Sequence, residues 1–247
     1  MSPEFLSLPD RQLAYQRLSG HENKPGIVFC GGFASDMTGT KASYLADKCS
    51  KAGLNFLRFD YRGHGQSSGD FKEATLGDWF EDTCAVIERL TKGPQIVVGS
   101  SMGGWLGLLL AIQKPECLKA FIGIAAAPDF TEDLMWLKMT KEQQSRLERD
   151  GFIYDETAPE GEQAVITLKL VKEARQHLLL RKVISVQCPV RLLQGLNDRE
   201  VPWQHAIRIT ENCATDDVRT IFIKEGDHRL SRPQDLDLLW RTIEEFI

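Results

Sequence analysis

Short apolar runs alternate with longer amphipathic stretches along most of this chain, and that alternation leaves few folds open. Runs rich in β-branched and aromatic residues fall at 13–18, 26–30, 54–59, 95–98, 121–125, 190–194 and 218–223. Between them, 40–52, 75–90, 102–113, a stretch from about 203 and one from about 233 to the end carry the helical pattern. Strands alternating with helices predict an α/β fold, a mostly parallel central sheet with helices on both faces. Residues 102–113 are apolar on almost every side and predict a buried helix. The alternation breaks once. From 131 to 182 no run reads as a strand; two helical stretches, about 132–149 and 162–182, flank a segment with Gly151, Pro159 and Gly161. The expectation is one α/β domain over 1–247 with a small helical lid insertion at 131–184.

Composition narrows the partners. The chain has 247 residues, and 30 basic against 35 acidic side chains leave a formal charge of −5. Nonspecific nucleic-acid binding needs clustered positive charge, so no nucleic acid is expected as a partner. The longest nearly apolar run, 102–112, has eleven residues, well short of the roughly 20 that span a bilayer, so no stable membrane insertion is expected. Residues 1–10 have no basic segment followed by an apolar one. The reading is a cytoplasmic protein, unless a leader has been removed. Six cysteines, at 30, 49, 84, 117, 188 and 213, form no C-x-x-C pair. They read as reduced thiols, mostly core, with no zinc site. Cys30 stands out because it ends a strand beside a candidate functional loop.

The chemistry is concentrated in Gly99-Ser100-Ser101-Met102-Gly103. A G-x-S-x-G pentad alone is weak, since composition produces it in about one unrelated chain in twelve. Its context is strong: it follows a predicted strand and opens a predicted helix, as a nucleophile elbow requires. Gly99 and Gly103 give the tight turn its room, and the helix N-terminus favours developing negative charge. Serine needs a base, and the base needs an orienting acid. Asp198 follows the 190–194 run and His228 follows the 218–223 run, in the chain order Ser, acid, His. Both fall at carboxyl ends of predicted strands, where open α/β sheets carry their sites. Two backbone N–H donors must hold an oxyanion: Met102, after the serine, and Phe33, in the loop after the 26–30 run, with Gly32 as second choice. No metal or organic cofactor is required.

Other residues read as structural. Ser100 packs beside the nucleophile, Glu200 lies on the loop surface as a weaker rival to Asp198, and Asp227 caps its loop. His64 serves the turn in Arg62-Gly63-His64-Gly65, which Asp60 and Arg62 stabilise by hydrogen bonds. His21, His177 and His205 read as surface residues. Lys169, Lys172 and Arg175 read as a solvated helix face. Phe130, Met135, Trp136 and Met139 form an apolar cluster at the start of the insertion. Core packing is its default reading, and the alternative is a lid in which Trp136 and Met139 contact an acyl group.

The sequence resembles α/β-hydrolase-fold serine hydrolases along nearly its whole length. The matching motifs are GGF at 31–33, FDYRGHGQS at 59–67, GSSMGG at 99–104, GLNDREVP at 195–202 and GDH at 226–228. A narrower set is TGTKA at 38–42, RFDYRGHGQSSG at 58–69, TLGDW at 75–79, GPQIVVGSSMGGWL at 93–106, CPVRLLQGLNDREVPW at 188–203 and DHR at 227–229. These resemble the α/β-hydrolase-domain family of mammalian mitochondrial palmitoyl-protein thioesterases and acyl-glucuronide esterases. The resemblance implies a Ser101, Asp198, His228 triad acting on thioesters or activated esters, S-acylated protein cysteines included. A small-molecule carboxylesterase, for acyl glucuronides or for C–C cleavage, is the alternative. A non-catalytic binding protein on the same fold is a third reading.

Overall fold

The computed structural model describes residues 2–155 and 164–247. Its strands are β1 (Glu4–Ser7), β2 (Gln12–Leu18), β3 (Ile27–Cys30), β4 (Phe56–Phe59), β5 (Gln95–Ser100), β6 (Leu118–Ile124), β7 (Phe152–Tyr154), β8 (Val165–Thr167), β9 (Val190–Gly195) and β10 (Val218–Ile223). The helices are α1 (Thr40–Ala52), α2 (Leu76–Leu90), α3 (Met102–Gln113), α4 (Lys141–Asp150), α5 (Leu168–Ala174), α6 (Gln204–Asn212) and α7 (Pro233–Glu244). Eight strands form one sheet in the order β1-β2-β4-β3-β5-β6-β9-β10. From β4 to β10 every pairing is parallel, while β1 and β2 run antiparallel at one edge.

The parallel strands are buried on both faces, and their side chains alternate between two apolar layers. Val28, Cys30 and Val97 belong to the layer beneath α2 and α3. Ile27, Phe29, Ile96 and Val98 belong to the layer beneath α1 and α7. As expected, α3 is buried, all ten residues from Met102 to Ala111. Register brings the carboxyl ends level: Cys30 lies opposite Gly99, and Ser100 opposite Ile124. The loops after β3, β5 and β6 therefore emerge together on one edge of the sheet. No described helix is long and apolar enough to cross a membrane.

Three features depart from the sequence reading. Strand β1 has no counterpart in it; three of its four residues are exposed, so it carries no burial pattern to read. The predicted helix at 132–149 is split. A π-type turn and a 3-10 turn occupy Thr131–Lys138, Met139 is extended, and α4 begins afresh behind Thr140. Thr140 accepts from the Gln143 N–H while Gln143 bonds back to the Thr140 N–H, a capping box that starts a helix where the longer pattern runs through. The predicted helix at 162–182 is replaced from Val165 by β8, which pairs antiparallel with β7. Val165-Ile166-Thr167 is β-branched throughout, and Thr167 then caps a much shorter α5 through the Leu170 N–H. Pro159, Gly161 and the start of that predicted helix lie outside the described residues.

The excursion has an apolar centre of its own in Leu147, Ile153, Ile166 and Val171. Polar contacts tie it to the sheet-bearing body. Arg181 pairs with the buried Asp129 and with Asp133, and Arg208 reaches Asp133 at 2.8 Å. The Trp105 indole donates to the His177 carbonyl at 3.0 Å, and the Gly77 N–H donates to Glu173 at 3.1 Å.

Candidate active site

Ser101 sits between β5 and α3 at φ 53°, ψ −117°, a conformation L-residues rarely adopt. The surroundings impose it. The Ser101 N–H donates to the Ile124 carbonyl, and the Ser101 carbonyl accepts from Gly104 and Ala127. The turn closes only on glycine: a Cβ at Gly99 would lie 2.3 Å from the Gly103 carbonyl oxygen, and one at Gly103 would lie 2.1 Å from the Cys30 carbonyl oxygen. Ser100 is the buried last residue of β5.

Asp198 follows β9 and His228 follows β10, and the structure brings both to the serine. His228 Nδ1 donates to Asp198 Oδ2 at 2.9 Å, which leaves Nε2 to accept from Ser101 Oγ at 3.2 Å. The Asp198 side chain is fully buried. Its Oδ2 also accepts from Gln194 Nε2, and its Oδ1 accepts from the Glu200 and Val201 N–H groups. Burial acts to raise its pKa, but the hydrogen bond and charge of His228 and the two backbone donors outweigh it, and the carboxyl stays below its ordinary value. Asp198 is thus a fixed carboxylate with every donor around it aimed inward.

The loop after β3 lies against the serine, close enough that a Cβ on Gly32 would stand 3.5 Å from Ser101 Cβ. Met102 opens α3, where a backbone N–H has no intrahelical acceptor. Among the described residues, neither the Met102 nor the Phe33 N–H is engaged in a hydrogen bond. The Phe33 ring is held by Phe71, Phe130 and Trp79, with centroids 5.1, 5.7 and 5.9 Å away. One unengaged donor thus belongs to the residue after Ser101, and the other to the loop that lies against it.

His64 does more than the sequence assigns it. Its Nε2 accepts the Ala34 N–H at 3.2 Å, which pins the loop that carries Phe33. Its Nδ1 faces the Arg62 carbonyl at 3.3 Å. The RGHG turn signals the local bond; the partner at Ala34 is thirty residues away and leaves no mark. The expected loop bonds are present: Asp60 accepts from Met37 and Gln66, and Arg62 is bound by Asp78, Glu81 and Asp82. Asp227 accepts from the Leu230 N–H, a loop cap as expected.

Trp136 and Met139 pack against the apolar centre of the excursion. Arg175 covers the Trp136 ring at 5.2 Å. The start of the insertion leaves α-geometry at 131–138, where a π-type and a 3-10 turn stand. Phe130 takes the inner position, against Phe33 and Trp105. Between the β3 loop and the excursion lies a cavity of about 320 Å³, walled by Ala34, Ser35, His64, Phe71, Ala164 and Val165.

His205 and His177 also differ from the surface reading. His177 is half-buried and contacts Glu173 at 2.7 Å. His205 is 5% exposed, and its Nε2 is buried with no partner among the described residues. Burial pushes the pKa of His205, and of the 4%-exposed His64, down to about 4. Both stay neutral in the fold, while in the unfolded chain they titrate near 6.5. Between those values the unfolded chain binds more protons, so stability is complete above pH 6.5 and falls as pH drops towards 4. Each histidine is expected to remove about 2 kcal/mol by about pH 5. Denaturant titrations at about pH 7 and about pH 5 check this, and His205→Gln should abolish about half of the difference.

Among the described residues, no three His, Cys, Asp or Glu side chains converge to hold a metal. All six cysteines are free, and burial raises the Cys30 thiol to about 12.

A family model described as serine aminopeptidase, S33, matches residues 21–150. The mitochondrial palmitoyl-protein thioesterase ABHD10 of Homo sapiens is 40% identical over 249 residues, spanning 100% of this chain and 80% of the relative. Among solved structures, the mouse α/β-hydrolase domain-containing protein 10 superposes with a TM-score of 0.91 at 39% identity, covering 99% of this chain and 98% of that one. A putative hydrolase from Agrobacterium vitis S4 superposes with a TM-score of 0.93 at 34% identity, covering 99% and 97%.

Proposed function

Because this chain belongs to the α/β-hydrolase family of serine hydrolases, we propose that Ser101, Asp198 and His228 are its catalytic triad and that it hydrolyses hydrophobic acyl thioesters, S-palmitoylated protein cysteines among them. The observation that carries the reading is the relay from Ser101 Oγ to His228 Nε2 at 3.2 Å and from Nδ1 to Asp198 at 2.9 Å. The thioester preference rests on relatives named palmitoyl-protein thioesterases that align along the whole chain.

Ser101 Oγ attacks the acyl carbonyl as His228 Nε2 takes its proton. The Phe33 and Met102 N–H groups hold the oxyanion. His228 returns the proton to the departing thiolate, leaving an acyl-Ser101 ester. Water, deprotonated by His228, attacks that ester and releases the acid, and the proton returns to Ser101. Asp198 holds His228 in the required tautomer and stabilises the imidazolium in both halves. The excursion acts as the lid, and the 320 Å³ cavity beside the oxyanion loop, with Phe71 in its wall, takes the apolar acyl group. Six unpaired thiols suit a reducing compartment, a bacterial cytoplasm or a mitochondrial matrix.

Fluorophosphonate labelling tests the reading. Wild type is expected to be labelled, and Ser101→Ala and His228→Ala are not. Palmitoyl thioesters should then be turned over faster than the matched oxygen esters; the reverse order would make the chain a carboxylesterase. Folded wild-type protein that resists both this probe and a small organophosphate would be a binding protein.

A further inference from the structure

The reactive nitrogen of His228 touches a second acidic side chain. Glu200 Oε2 stands 3.4 Å from His228 Nε2, the same atom that faces Ser101 Oγ. Asp198 holds the opposite nitrogen, so Glu200 has no part in the relay itself. Its backbone is fixed, since the Glu200 N–H donates to Asp198 Oδ1 at 2.9 Å. Its side chain is 70% exposed, open to whatever approaches the triad from solvent.

The surroundings are charged but balanced. A depression of about 240 Å³ beside His228 is lined by Asn197, Arg199, Glu200, Asp227, His228 and Arg229. Its two guanidiniums and two carboxylates cancel at a distance. Lys41 Nζ is bound to the Arg229 carbonyl at 2.5 Å, and burial lowers its pKa to about 8. Among these groups the close contact with the proton-transferring nitrogen belongs to Glu200. A leaving atom that receives its proton from Nε2 must approach it to about 3 Å. The rest of the leaving group then extends past the Glu200 carboxylate.

We propose that Glu200 is a specificity-determining residue that selects the charge of the leaving group, favouring cationic and neutral thiols or alcohols and disfavouring anionic ones. This rests on the triad reading above and deepens it. For a charge about 7 Å from an exposed carboxylate, the Coulomb interaction in water corresponds to about threefold in rate per unit charge. Cationic and anionic leaving groups should therefore differ by about tenfold. A charge this exposed is screened by salt.

The test uses three thioesters of one hexanoyl chain, with thiocholine, 2-mercaptoethanol and thioglycolate as leaving groups. Wild type should show kcat/KM falling in that order, in steps of about threefold at low ionic strength. Glu200→Gln should collapse the series, Glu200→Lys should reverse it, and about 0.5 M salt should flatten it in wild type. Arg199→Gln, on the same depression but without contact to His228, should change the order less than Glu200→Gln does. A purely structural Glu200 would lower all three rates together and keep their ratios. Unchanged ratios in Glu200→Gln and Glu200→Lys would overturn the inference while leaving the triad intact. A wild type that hydrolyses none of the three would overturn the triad reading and this one with it.

Discussion

Ser101→Ala and Ser101→Gly are both expected to lower kcat by about 10⁶-fold, and the glycine variant is expected to be the more stable of the two. Activity is lost in each because, in the proposed mechanism, Ser101 Oγ carries the acyl intermediate. Stability separates them because the backbone at this position stands at φ 53°, ψ −117°. Such a conformation costs a residue with a Cβ about 1–3 kcal/mol. Alanine keeps the Cβ and so keeps the strain. Glycine relieves it, at an unfolded-chain entropy cost of about 0.4–1 kcal/mol. Neither change alters the clamp, since Ile124, Gly104 and Ala127 bond only to the backbone of residue 101. The glycine variant should melt about 2–4 °C above the alanine variant by calorimetry. Equal melting temperatures would mean that the strain relieved is no larger than the entropy cost of glycine, about 0.4–1 kcal/mol. Function then explains the strained turn: it lifts Oγ clear of β5 and aims it at His228, and the buried α3 behind it supplies the rigidity.

The proposed triad is legible in the sequence because each of its members follows a strand. Ser101, Asp198 and His228 lie at the ends of β5, β9 and β10, whose apolar runs are visible in the chain. Parallel pairing then forces those ends onto one edge. Side chains held by distant partners are not legible. His64 bonds to Ala34, and His205 is buried by residues that no local pattern connects to it. The insertion misleads for a different reason. Its pattern of apolar residues fits a helix, but Thr140 and the Val165-Ile166-Thr167 run impose capping and strand pairing on shorter segments. Those local signals are present in the sequence, and periodicity masks them.

Asp198→Asn is expected to lower kcat by about 10⁴-fold with the fold retained. Four donors converge on this carboxylate: His228 Nδ1 and Gln194 Nε2 on Oδ2, and the Glu200 and Val201 N–H groups on Oδ1. An asparagine can satisfy only one pair. The two backbone donors cannot turn, so the amide oxygen must stay with them. The amide NH₂ then faces His228 Nδ1 and makes it an acceptor, which moves the imidazole proton to Nε2. A nitrogen carrying that proton cannot accept one from Ser101. The amide also meets the Gln194 NH₂ head on. Gln194 has a buried Oε1 with no partner among the described residues, and rotating its side-chain amide would present that oxygen to the introduced asparagine. The rotation would turn the same oxygen towards the Val201 and Gly195 carbonyls, which Nε2 now satisfies. The mismatch therefore persists in either orientation and should cost about 1–3 kcal/mol of stability. Adding Gln194→Leu to Asp198→Asn removes the competing amide but also the donor to the Val201 and Gly195 carbonyls, so neither stability nor activity should recover. Recovery of activity in the double variant would place the defect of Asp198→Asn in the clash with Gln194, whereas continued loss places it in the tautomer of His228.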